Sequence, residues 1–186
     1  MVLGLAVLVV AIPLVVFGGS AQHGQGGSLP LPRGAIWLAL GLALHLIWIY
    51  GISRSANVPS LVTWLPLAAD VPIVIFAFAN RRVPGVPVVA VGLALNMLAM
   101  AANGGLMPIT LAHVPGPHTA SRFAGDRLRL SADRVVGSDA PLGFLGDDIA
   151  IGWPGSVGMA LSVGDIVIVA GCIFAAVSLL RLETGR

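Results

Sequence analysis

The chain has 186 residues, of which 57% are hydrophobic and 10% charged, with a net charge of +2 and a mean hydropathy of +0.97. A soluble domain carries roughly a quarter charged residues, and at this size its surface is too large to hide so many apolar side chains. The composition therefore excludes an ordinary soluble protein and predicts one that contacts the lipid bilayer.

The composition also limits which partners and cofactors we expect. Basic residues form no stripe with interleaved aromatic ones, so we expect no nucleic-acid partner. Cys172 is the only cysteine, which excludes an internal disulfide and a cysteine-based metal site. We expect no metal and no bound cofactor.

Five apolar segments approach the roughly 20 residues that a spanning helix needs. They cover residues 2–18, 35–53, 61–79, 86–102 and 165–180. The short connections 54–60 and 80–85 predict antiparallel neighbouring helices. The predicted fold is an all-α polytopic membrane helical bundle of about five transmembrane helices, forming a single integral membrane domain over residues 1–186.

The first segment could also be a signal peptide. Residues 18–22 could pass for a small-residue cleavage site, but the segment has no positive start and Pro13 interrupts its apolar stretch. We predict a retained helix.

A long loop separates the fourth and fifth segments. The sequence NGGLMP at residues 103–108 should end the fourth helix, with glycine at its end and proline beyond. The polar region 112–164 then contains apolar residues that a disordered linker would not need. We predict an ordered extramembrane loop, anchored by Phe123, Leu142, Phe144, Leu145, Ile149, Ile151 and Trp153.

Arginines set the predicted orientation. Arg81 and Arg82 lie in a short loop, where basic residues weigh most toward the cytoplasm. We therefore predict a multi-pass protein of the cell (inner) membrane, with its amino terminus and long loop outside the cytoplasm.

Two ionisable residues fall inside predicted spans, where polar groups are costly. His45 lies one turn after Gly41, which would leave room for a haem or chlorophyll, but an interhelical hydrogen bond is the favoured interpretation. Asp70 precedes Pro72 and is either a proton-relay or catalytic acid or, as we favour, a hydrogen-bonding partner of a neighbouring helix.

A second polar group surrounds the loop. Asn96 and Asn103 share one face of the fourth helix, seven residues apart. Ser162 and Asp165 have the spacing of a capping box at the start of the last helix. With Asp147 in the loop, the candidate polar site comprises Asn96, Asn103, Asp147 and Asp165, although two helix caps and a loop anchor are the favoured interpretation of these residues.

Several short motifs resemble those of a known family. They are NRRVPG at 80–85, LN at 95–96, ANGGLMP at 102–108, LGD at 145–147 and LSVGD at 161–165. Together they resemble an uncharacterised bacterial family of small multi-pass membrane proteins, a domain of unknown function with NGGxMP and SxGD motifs. The resemblance covers roughly residues 61–180 and implies a membrane fold but no established activity.

The last helix has a weaker likeness. Residues 161–171 are similar to a stretch of lipoprotein signal peptidases, in which Asp165 would match one of two catalytic aspartates. The partner motif is missing, because Asn103-Gly104 supplies the amide without the acid.

We therefore expect a non-catalytic subunit or scaffold of a membrane complex, with other membrane protein subunits as partners. The alternatives are an intramembrane aspartic peptidase-like hydrolase, or a small proton-linked transporter using Asp70. The transporter is disfavoured because no inverted repeat is visible.

Overall fold

The computed structural model describes residues 34–52, 59–109, 128–131, 134–136, 140–151 and 159–184. Within these ranges lie four α-helices: α1 (Ala35–Leu46), α2 (Leu65–Ala79), α3 (Val86–Ala102) and α4 (Val163–Thr184). A π-helical stretch, Ile47–Ile52, continues α1, and a 3-10 turn, Val62–Trp64, leads into α2. The second to fifth apolar segments are therefore helical, close to their predicted bounds. The first segment lies outside the described residues.

Two helical stretches, Ala35–Ile52 and Val62–Ala79, are long and apolar enough to cross a membrane. The apolar helices Val86–Ala102 and Val163–Ser178 are shorter. These lengths and compositions indicate a membrane location, while the number of spans stays a prediction.

Glycine-based motifs mark both ends of α3. Gly85 precedes the helix with φ 87°, a conformation that glycine adopts without strain. At the other end, Gly104 has φ 69° and the Gly105 N–H donates to the Met100 carbonyl at 2.8 Å. This is a Schellman-type C-cap, so the predicted end of the helix in the NGGLMP sequence is confirmed.

Consecutive helices pack as antiparallel neighbours. On α1, Gly41 lies against α2, where a methyl group at its position would come within 2.5 Å of Ile73 and 2.8 Å of the Ala69 carbonyl. On α3, Gly92 lies against the start of α4, close to Gly164 and Ile168. The apolar core between the helices comprises Leu38, Ile73, Phe76, Val89, Leu93, Ile168 and Cys172.

The described residues are mostly helical, as predicted, but the loop region between α3 and α4 also contains short strands that the prediction did not include. β1 (Met107–Ile109) pairs in parallel with β3 (Arg134–Val136), which also pairs antiparallel with β2 (Leu128–Ser131). β4 (Ile149–Ile151) and β5 (Met159–Leu161) form a second antiparallel pair. Strand pairing gives hydrogen-bond partners to backbone N–H and C=O groups of this region, which is not helical. Strands of three or four residues are too short to give a readable alternation in sequence.

The predicted loop anchors divide into two kinds. Leu145, in the 3-10 turn Gly143–Leu145, is buried against α3 and β1 residues. Phe144 and Leu142 are instead exposed, by 71% and 39%, so the prediction that they anchor the loop was wrong. Adjacent residues of a short turn point in different directions, which the loop sequence does not reveal. Phe123 and Trp153 lie outside the described residues.

Candidate functional site

Each of the four described helices contributes buried polar residues to the interior of the bundle. His45 on α1, Asp70 on α2, Asn96 on α3 and Asp165 on α4 are 4%, 6%, 5% and 2% exposed. Ser162, immediately before α4, is fully buried beside them. We call these five residues the polar layer.

The half of the polar layer between α3 and α4 is a closed set of hydrogen bonds. Ser162 Oγ accepts from the Asp165 backbone N–H at 2.9 Å, and Asp165 Oδ2 accepts from the Ser162 N–H at 3.3 Å. This reciprocal pair confirms the predicted capping box. Asn96 closes the set from α3, because its Nδ2 donates to Asp165 Oδ1 at 3.0 Å and its Oδ1 accepts from Ser162 Oγ at 2.8 Å.

Glycines allow this close contact. Gly92 on α3 and Gly85 at its N-cap are seven residues apart and so share a face, as do Gly164 and Gly171 on α4. In the antiparallel pair Gly92 meets Gly164, and Gly85 meets Gly171. A Cβ atom on Gly164 would collide with the Asn96 side-chain oxygen. Without these glycines the two backbones could not approach closely enough for Asn96 to reach the α4 cap.

The other half of the polar layer joins α1 to α2. His45 Nε2 lies 3.4 Å from Asp70 Oδ1, and His45 Nδ1 lies 3.2 Å from the Gly41 carbonyl oxygen. Both ring nitrogens therefore have partners within the bundle. This is the interhelical contact that the sequence favoured over a haem or chlorophyll ligand.

The two halves lie at one depth. Thr63 Oγ donates to the Gly104 carbonyl at 2.9 Å, which aligns the start of α2 with the end of α3. Asp70 follows Thr63 by seven residues, and Asn96 precedes Asn103 by seven, which is roughly 10 Å along each helix axis. Consistent with this alignment, the Asp165 carboxyl interacts electrostatically with Asp70.

Asn103 and Asp147 bind the loop to the bundle. Asn103 Nδ2 donates to the carbonyl oxygens of Ala99 at 2.8 Å and Pro141 at 2.7 Å, and not to Asp165. The Asp147 side chain is fully buried, and its backbone N–H donates to the Pro108 carbonyl at 2.8 Å. The structure thus joins Asn96 directly to Asp165, while the bonds of Asn103 describe a cap and loop anchor.

Three features of the site were missed in the sequence. Ser162 was treated only as a cap, although it also binds Asn96. The seven-residue glycine spacing on α3 and α4 was a readable signal of close packing. The pairing of His45 with Asp70 could also have been considered, since antiparallel neighbours 35–53 and 61–79 bring such positions together. No group of three or more His, Cys, Asp or Glu side chains that could hold a metal occurs among the described residues.

Fold and site together define a mostly helical protein in which two apolar helices of membrane length and two shorter ones surround a buried polar layer. The chain matches the model of a family of unknown function, DUF5317, over residues 33–177, and it belongs to that family. The match agrees with the resemblance to an uncharacterised family and begins earlier than residue 61. No curated protein and no solved structure is significantly similar to the chain.

Proposed function

We propose that this protein is a multi-pass integral membrane protein of the cytoplasmic membrane, in which all four described helices span the bilayer. The support is the distribution of side chains across the bundle. Large apolar side chains point outward from every helix, whereas the polar layer is buried. Such an arrangement suits lipid and would be costly in water. The outward residues include Ile36, Tyr50, Leu61, Phe78, Val91, Leu98, Ile173 and Phe174.

We further propose that the protein acts as a non-catalytic subunit of a larger membrane complex. The observation that carries the proposal is the turn at residues 140–147. Asn103, Leu145 and Asp147 hold this turn against the bundle, yet it presents Phe144 outward with 71% exposure. Leu142 beside it is 39% exposed and adopts φ 54°, which is unfavourable for a side-chain-bearing residue. A rigidly held, strained turn with outward apolar side chains suits the surface of another subunit.

Gentle detergent extraction tests this role. We expect stoichiometric partner chains to co-purify with the protein, and Phe144→Ala to reduce their recovery. Phe78→Ala is the matched control, because Phe78 is 67% exposed at the opposite end of the bundle, beside Arg81. A monodisperse lone chain, or equal losses in both variants, would contradict the proposal.

The orientation of the chain in the membrane can be tested with reporter fusions. Reporter fusions after Arg82 and after Arg186 should read cytoplasmic, and a fusion at Ser131 should read external, because the short Arg81–Arg82 loop carries the positive bias. The reverse pattern would invert the orientation and leave the helical fold unchanged.

A second candidate function, an aspartic peptidase-like hydrolase, has one supporting observation. Asp70 on α2 and Asp165 on α4 both place a carboxyl group in the interior of the bundle. Such an enzyme needs two carboxyl groups that share a proton. Against it, the hydrogen bonds of Asp165 go to Ser162 and Asn96, and the close partner of Asp70 is His45.

A further inference from the structure

The contacts of the His45 ring favour one tautomer. Its Nδ1 lies 3.2 Å from the Gly41 carbonyl oxygen, one turn earlier on α1. A carbonyl oxygen can only accept a hydrogen bond, so Nδ1 must carry a proton to make this contact favourable. In the neutral ring that leaves Nε2 with a lone pair and no hydrogen.

This lone pair faces a carboxyl oxygen. His45 Nε2 and Asp70 Oδ1 are 3.4 Å apart, and both residues are more than nine-tenths buried. If Asp70 were ionised and Nε2 unprotonated, two lone pairs would face each other without water to separate them. A single proton between the two atoms removes this conflict, whether it is bonded to the oxygen or to the nitrogen.

We infer that His45 and Asp70 form a proton-binding site that holds one proton between Nε2 and Oδ1. Uptake adds one H⁺ to a neutral imidazole and a carboxylate, and the site changes from a net charge of −1 to 0. Release reverses both changes. This inference goes beyond the subunit role, because it assigns a ligand to the polar layer and does not depend on any partner chain.

Packing holds the two groups in place. Gly41 brings the α1 backbone against Ala69 and Ile73 on α2, so the helices are in contact at the level of the pair. From α4, the carboxyl group of the buried Asp165 lies within electrostatic range of Asp70. The α3 residue of the polar layer, Asn96, is an amide that does not titrate. Loss of the bound proton would therefore leave a negative charge in an interior that already contains a second carboxyl group, that of Asp165.

The tautomer can be measured in the unmodified protein. We expect nitrogen NMR spectra of isotope-labelled histidine, recorded in lipid vesicles, to show His45 protonated at Nδ1 at every pH. The spectra should also show a titration that affects Nε2. His45→Gln removes the signal and so assigns it. A neutral ring protonated at Nε2 and bare at Nδ1 would overturn the proposal.

The coupling to Asp70 is tested separately. Asp70→Asn should move the His45 titration midpoint by about one pH unit or more, as expected when a contacting carboxyl group is removed. Asp148→Asn makes the same chemical change in the loop and should leave the midpoint unchanged. Equal behaviour of the two variants would show that His45 and Asp70 do not share a proton. Should Asp70→Asn fail to fold, the tautomer measurement on the unmodified protein still decides the matter.

Discussion

Gly92→Ala is expected to destabilise the bundle by about 1–3 kcal/mol, the usual cost of overpacking a tight interior. The added methyl group would lie 2.6 Å from the Gly164 carbonyl oxygen and 2.8 Å from the Ile168 backbone nitrogen. Both are backbone atoms, so relief requires α3 and α4 to move apart. The free energy of unfolding in mixed detergent micelles measures this loss.

Gly51→Ala is the matched control. Gly51 also lies in a helical stretch, but a methyl group at its position would meet nothing within 4 Å. We expect this variant to be neutral or up to about 1 kcal/mol more stable, since alanine favours helix over glycine. If Gly92→Ala behaved like Gly51→Ala, the close approach of α3 and α4 would be wrong.

Asp165→Ala should cost about 2–4 kcal/mol. The change removes half of the capping box, worth about 1 kcal/mol, and leaves the buried Asn96 amide without its acceptor, which adds about 1–3 kcal/mol. Ser178→Ala serves as the control on the same helix, because the Ser178 hydroxyl bonds only to its own helix, at Phe174, and is exposed. The control should stay within about 0.5 kcal/mol of the unmodified protein.

A double-mutant cycle shows whether Asn96 and Asp165 act together. Because each lacks a partner once the other is removed, the effects of Asn96→Ala and Asp165→Ala should be non-additive by about 0.5–3 kcal/mol. Simple additivity would mean that the bond between α3 and α4 contributes nothing to stability.

The helices of this protein could be predicted because their signals are local. An apolar run, a glycine-rich C-cap at Asn103 and a Ser162–Asp165 capping box each depend on residues close together in the chain. The strands could not be predicted in this way. β1 is only three residues long, and its partner β3 follows more than twenty residues later, so its existence depends on a tertiary contact.

The candidate site shows the same division. The sequence identified His45, Asp70 and Asn96 as polar residues within apolar segments, where burial is costly, and Asp165 as a capping residue at the start of the last helix. Their grouping into one layer depends on where four helices stand relative to one another. The hydrogen bond between Thr63 and Gly104 sets part of that alignment, and no local sequence pattern indicates that this bond forms. Asn103 was grouped with Asp165 because both lie at the loop-facing helix ends, but its amide bonds to Pro141.

The α3–α4 contact has a consequence for quality control during biogenesis. Residues 103–162 separate these helices in the chain, so α4 is synthesised long after α3. In a bilayer, helices first insert and then associate. Until α4 arrives, the Gly92 surface is uncovered and the Asn96 amide lacks both Ser162 and Asp165. On the proposed membrane placement, a chain that stops before residue 163 would keep that amide among apolar side chains without its α4 partners, a polar mark that distinguishes an incomplete chain from a complete one.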